Sequence, residues 1–320
     1  MPHYLLLGAG FSRNWGGWLS NEVTDDLVWR LRDHPEICEL LLQWGFEGAL
    51  FDLRSRHARR EIDAEPIQLL EAAISDSFRA MNMSFAAQRL QFEFGQEARS
   101  SVTDFLARFD AIFTLNQDIL LELHYDPTLT RRRWAGIQWP GVAPAGWPAL
   151  TPAARAELAD QRWHVLLGED PAIDHDTQPV IKLHGSSNWY TDNEAGQHIV
   201  IGGQKREAID ASPLLRFYSR YFAECLVQQD ALLMTIGYSF SDEHINEVIC
   251  DANEAGANFG IFIVGPDGRS VLDKSYPDDL EYDPQLRLKR LRYIGGSSRL
   301  LSSSFRDDQL ELDKLLRFFD

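Results

Sequence analysis

Short apolar runs recur along this chain, and each ends in small or polar residues. They are His3 to Leu7, Ala111 to Leu115, Pro179 to Leu183, Ala231 to Ile236 and Phe259 to Val264. Continuous apolar runs of strand length read as strands covered on both faces. Most are followed by a segment with helical spacing. Buried strands alternating with helices specify an α/β fold, a parallel sheet with helices on both faces. Arg292 to Ile294 reads as a short final strand.

Two stretches break the rhythm. From about residue 21 to 107 no strand pattern occurs, and Glu22 to Arg32 and Pro66 to Met81 carry apolar residues near the helical period. This stretch is expected to be a helical insertion. From about residue 125 to 177 the chain is rich in Pro, Gly and Trp, as in Gln138-Trp139-Pro140-Gly141. It reads as a long loop excursion with one helix near Pro152 to Asp160, the kind of segment that forms lids or binding surfaces. The core is then about residues 1–20, 108–124 and 178–320 of a single domain. Asp307 to Phe318 reads as an amphipathic closing helix, packed on its own domain or on a partner.

The formal charge of -17, from 48 acidic and 31 basic side chains, disfavours nucleic acid and anionic membranes as direct ligands. The Arg131-Arg132-Arg133 triplet reads as a solvated loop. Three cysteines, Cys38, Cys225 and Cys250, form no CxxC pair. They are expected to be buried thiols in a reducing compartment, with neither a disulfide framework nor a cysteine zinc site. No leader and no run near the roughly 20 apolar residues of a membrane span is visible. A soluble cytoplasmic protein is expected.

Chemistry collects where the apolar runs end. Gly8-Ala9-Gly10-Phe11-Ser12 follows the first run. Glycines there let backbone approach a ligand, and N–H groups at the start of a helix can face a pyrophosphate. A tight strand-to-helix turn would use the same residues. In Thr114-Leu115-Asn116-Gln117-Asp118 the run ends at Leu115. The Asn116 amide can hold a water or a ribose hydroxyl, and Asp118 can accept from an amide or hydroxyl or cap the next helix. His184, in Lys182-Leu183-His184-Gly185-Ser186, ends another run and can serve as a general base. Gly237-Tyr238-Ser239-Phe240-Ser241-Asp242 offers Gly237 and Ser239 to a phosphate or ribose, with Asp242 also a candidate N-cap. Val264 ends the fifth run, where it could close over an adenine. Ligands of open α/β sheets bind at this carboxyl edge.

The order of these motifs resembles the sirtuin superfamily. Its members carry a Gly-Ala-Gly-x-Ser loop, a Thr-Gln-Asn-x-Asp segment, a His-Gly pair and a Gly-x-Ser turn. Here they stand as Gly8 to Ser12, Thr114 to Asp118, His184-Gly185 and Gly237 to Ser239, with Leu115 replacing the family's Gln. The resemblance implies a Rossmann-like core with NAD as substrate. Gly8, Ala9, Gly10, Phe11 and Ser12 would wrap the pyrophosphate and nicotinamide ribose. Asn116 would position the ribose or an attacking water, Asp118 the nicotinamide amide or its ribose, and His184 a ribose hydroxyl. Gly237 and Ser239 would contact the adenosine half, with Val264 near the adenine. The two cysteine pairs of protein-deacylating members are missing, so no metal is expected. The Gly-Ala-Gly-Phe-Ser and Gly-Tyr-Ser-Phe-Ser-Asp segments are similar to the sirtuin-like domains of bacterial anti-phage systems. Those hydrolyse NAD to ADP-ribose and nicotinamide. That resemblance further implies a homo-oligomer or control by a partner such as a HerA-type ATPase or a short Argonaute. A deacylase, or a module that binds NAD or ADP-ribose without turnover, are the alternatives.

Overall fold

The computed structural model describes residues 1–88, 92–94, 101–130, 132, 134–143, 152–166, 170–191, 205–273 and 284–320. Ten strands are present among them: β1 His3–Leu7, β2 Ala111–Thr114, β3 Ile137–Gln138, β4 Val142–Ala143, β5 Trp163–Val165, β6 Gln178–Lys182, β7 Trp189–Tyr190, β8 Leu232–Ile236, β9 Gly260–Val264 and β10 Tyr293–Ser297. Seven of them form one sheet in the order β10-β9-β8-β1-β2-β6-β3, and every pairing in it is parallel. Every residue of β2, β6 and β9 is buried. Successive side chains point to opposite faces, so both faces of the sheet are covered, as the unbroken apolar runs require.

The chain starts in the middle of the sheet. From β1 it builds outward through β2 and β6 on one side, then crosses to build β8, β9 and β10 on the other. The β1–β8 boundary is therefore a topological switch point, and doubly wound sheets bind ligands in a crevice at the carboxyl edge of such a point.

The insertion is helical. Helices Ser20–Arg30, Pro35–Ala58 and Glu65–Ala87 pack on one another, the second kinked at Gly45 (φ 66°, ψ 177°). The excursion is more ordered than its composition suggests. Its helix does run Pro152–Asp160, but β3 extends the main sheet, and β4 and β5 join β7 in a second, three-stranded sheet. Strands of two or three residues are too short to leave a period in the sequence. The buried indoles of Trp139, Trp163 and Trp189 anchor this part.

The C-terminal helix Gln309–Leu316 ends in a 3-10 turn that sets Phe318 and Phe319 against His3 and Phe109. It packs on its own domain, and only Leu310 of its apolar set is largely exposed. Cys225 and Cys250 are buried, whereas Cys38 is only half-buried, with its thiol directed at the Leu31 carbonyl; all three are free. Arg132 lies near Asp104 (3.6 Å), and Arg131 and Arg133 fall outside the described residues. No described helix is long and apolar enough to cross a membrane.

Candidate functional site

Strand register brings the motifs together. Leu7 pairs with Thr114 on one side and Ile236 on the other, Thr114 pairs with Lys182, and Ile236 with Val264. Asn116 and His184 each lie two residues beyond the Thr114–Lys182 pair, in the turns that follow the adjacent parallel strands β2 and β6. Gly8 and Gly237 each follow the Leu7–Ile236 pair directly. Val264 is farther off, with β8 between it and β1. Its side chain is buried and its carbonyl accepts the Gly237 N–H at 2.8 Å.

The glycine segment is not an open loop. Helix begins at Ala9, and the Gly10 N–H donates to the Gly237 carbonyl while the Phe11 N–H donates to that of Gly8. Gly237 has φ +65°, and a Cβ there would lie 2.4 Å from backbone atoms of Gly10 and Phe11. A Cβ on Gly8 would meet the Gly237 carbonyl oxygen at 2.5 Å. Backbone meets backbone at the floor of the crevice, and only glycine fits. The Phe11 ring is buried against Trp15 and Phe92, as a core residue. Ala9 and Ser239 are exposed, and Ser239 bonds Ser241.

Asn116 heads a polar chain. Its Nδ2 donates to the Gly8 carbonyl at 3.0 Å and to Ser12 Oγ at 2.9 Å. Ser12 Oγ in turn donates to Asp118 Oδ2 at 2.8 Å. Asp118 Oδ1 accepts the Leu120 N–H at the start of helix Leu120–His124, although the N-cap position itself is Ile119. With its amino group held, Asn116 has its carbonyl oxygen left to meet a water or a ribose hydroxyl. A cavity of about 10 Å³ adjoins Ser12, Asn116, Asp118, Glu122 and Lys182, space for one water.

Two supports under this edge escape sequence reasoning. Lys182 and Glu122 form an ion pair with Nζ and Oε1 2.8 Å apart, each side chain 1% exposed, and Lys182 also donates to the Asp118 carbonyl. Burial pushes the Glu122 carboxyl up, and Lys182 opposes that shift. Asn82, in the inserted helices, donates to Ser187 Oγ at 3.0 Å and accepts the Ile119 N–H at 3.2 Å. The insertion thus ties down the turns after both β2 and β6.

His184 is 3% exposed, and its Nε2 lies 3.0 Å from Nε2 of His244. Asp242 occupies the N-cap position of helix Glu243–Glu254 but makes no side-chain cap bond. Its carboxylate instead accepts from Lys205 at 2.5 Å, and Lys205 also lies 3.0 Å from Glu47 of the insertion. Burial holds His184 down to about 3, with Asp242 pulling the other way and Lys205 and His244 adding to the depression. Burial likewise lowers His244. Both rings are therefore neutral at physiological pH. No pattern in the sequence pairs His244 with His184, because they are 60 residues apart and meet only through the strand order.

Among the described residues, His184, Asp242 and His244 form the one group with metal-donor chemistry, with ligand atoms within 4.8 Å of one another. Lys205 already holds Asp242, and the helix beginning at Glu243 directs its positive end here. Both oppose a cation.

A family model described as the SIR2-like domain matches residues 110–294, well over half of the chain. The chain belongs to the SIR2-like family. The matched span contains Asn116, His184 and the Gly237 turn, and it includes the Trp-rich excursion that the motif resemblance leaves out. The Gly8 to Ser12 segment precedes it, joined to it through Gly237 and Asn116. No curated protein matches the chain. SIR2-like domains use NAD, so the crevice is read as a site for NAD-related chemistry.

Proposed function

We propose that this SIR2-like chain is an NAD glycohydrolase that yields ADP-ribose and nicotinamide. The observation that carries the reading is that Asn116 and His184 each stand two residues past the ends of the adjacent strands β2 and β6, at the carboxyl edge of the sheet beside the β1–β8 switch point. The C1′–N bond is weak because the departing nicotinamide sheds a positive charge. Water adds its oxygen to C1′, nicotinamide leaves neutral, and one proton passes to solvent. An oxocarbenium-like transition state needs positioning and polarisation more than a strong acid. The Asn116 carbonyl would orient the water or the ribose. The neutral His184 ring would accept a hydrogen bond from a ribose hydroxyl. Gly8, Ala9, Gly10, Ser12, Asp118, Gly237 and Ser239 would shape the dinucleotide site around them.

The cellular role that fits is an effector of bacterial anti-phage defence that depletes NAD. Such an enzyme must be silent at rest, so control by homo-oligomerisation or by a partner, a HerA-type ATPase or a short Argonaute, belongs to the proposal. The test follows NAD loss by chromatography for the wild type, Asn116→Ala and His184→Ala, with and without neighbouring gene products. Loss of about 100-fold in both variants is expected, the scale of a lost positioning contact. Undiminished hydrolysis in both removes the assignment. Transfer to an acyl-lysine peptide would point to a deacylase, and binding without turnover to a sensor module.

A further inference from the structure

We infer that His244 is a positioning residue that fixes the tautomer of His184, by accepting a hydrogen bond from His184 Nε2–H. The inference rests on the NAD-hydrolase reading for the direction of the bond and for its catalytic consequence. The two Nε2 atoms are 3.0 Å apart. At that distance one proton must lie between them. Two protons would clash, and none would set two lone pairs against each other. One ring is therefore the donor and the other the acceptor.

The surroundings keep the pair neutral. His184 is buried, and His244 is half-buried in the first turn of helix Glu243–Glu254, whose positive end disfavours an imidazolium. The charged groups facing the pair come from three elements: Asp242 and Glu247 at the helix, Lys205 and Arg206 on helix Lys205–Ala211, and Glu47 from the insertion. Lys205 is held between Asp242 and Glu47, so its charge and the Asp242 charge are mutually compensated beside the rings.

The direction of the bond follows from burial and from the task. With its Nε2 turned to His184, His244 has Nδ1 as its other nitrogen, and this half-buried ring can satisfy an Nδ1–H with water. His184 then carries its proton on Nε2, and its Nδ1 lone pair is ready for a ribose hydroxyl. The opposite arrangement would place a proton on Nδ1 of His184 and remove the acceptor. A ring nitrogen's partner commonly sets which tautomer the other nitrogen presents.

The test uses the full chain with 15N-labelled histidine. Long-range 1H–15N correlation spectra report each ring's tautomer, and His184→Gln assigns the signals. In the wild type the Nε2–H tautomer of His184 is expected. In His244→Leu, which lacks the acceptor, His184 should become a mixture of tautomers. In His244→Gln, whose side-chain oxygen can accept the same bond, the Nε2–H form should persist. For NAD hydrolysis, His244→Leu should lower kcat on the order of tenfold to a hundredfold with KM little changed, the scale of a misplaced contact to the reacting group, and His244→Gln should recover most of it. An Nδ1–H tautomer in the wild type overturns the inference, as does an unaltered His184 signal with unaltered kcat in His244→Leu. If the chain proves not to hydrolyse NAD, the spectra still decide the hydrogen bond, so the two failures are separable.

Discussion

Replacing Lys182 with methionine should destabilise the fold at pH 8 by about 3 to 5 kcal/mol, the usual cost of stranding one member of a buried ion pair. Lys182 and Glu122 are each 1% exposed and 2.8 Å apart. At an effective dielectric of about 20, two unit charges at that distance attract by about 6 kcal/mol, which desolvation of the two ions largely offsets. The intact pair is thus near break-even, and the cost appears when Lys182 leaves. Glu122 Oε2 has no hydrogen-bond partner, and beyond Lys182 only a local backbone hydrogen bond favours the carboxylate. Burial already raises the Glu122 carboxyl above its ordinary 4.5. Without Lys182 the folded protein holds a proton there that the unfolded chain has lost. Stability of the variant therefore falls as pH rises above about 4.5, and the penalty relative to wild type is largest at pH 8 and shrinks toward pH 5. Urea unfolding at both pH values, followed by tryptophan fluorescence, measures it. The double variant Lys182→Met with Glu122→Leu should recover to within about 1–2 kcal/mol of wild type, as apolar replacements of buried pairs do. A Lys182→Met penalty below about 1 kcal/mol at pH 8, or one independent of pH, would refute the reasoning.

Two further outcomes concern stability. Gly237→Ala combines a left-handed backbone, about 1–2 kcal/mol, with an overpacked contact of about 1–3 kcal/mol against Gly10 and Phe11, whereas Gly256→Ala, at φ +73° with no atom within 4 Å of its Cβ, incurs the first cost alone. Equal unfolding midpoints for the two variants would contradict the backbone contact at the crevice floor. Acid should also weaken the fold. Burial depresses His184 to about 3 and His124 to about 4, from 6.5. Between those values the unfolded chain binds protons the folded one refuses, so stability drops as pH falls through 6.5, by about 2 kcal/mol per ring at pH 5. Replacing His124 with Gln should flatten its share of that slope in urea titrations. A slope unchanged by the substitution would count against a neutral buried ring.

Much of the fold was legible because its signals are local. Strands at His3–Leu7, Ala111–Thr114, Gln178–Lys182, Leu232–Ile236 and Gly260–Val264 fall within one residue of the apolar runs, since a strand buried on both faces is mostly apolar and admits polar residues such as Lys182 only with a partner. The helical insertion followed from period alone. The excursion's strands did not, because Ile137–Gln138 and Val142–Ala143 are too short to repeat. The motifs announced the sheet edge, yet Phe11 serves the core, and Asp118 braces Ser12 and a helix start rather than standing open.

Residue order alone determined that strands would end in glycine, asparagine and histidine, for burial and periodicity are written within a few neighbours. Which of those ends became neighbours was a matter of strand order, and strand order belongs to the folded sheet. Only there does Gly237 close on Gly10, Glu122 find Lys182, Glu47 reach Lys205, and His244 come within 3.0 Å of His184. Each of those contacts joins segments distant in the chain, and its energy depends on a desolvation that no local stretch can impose.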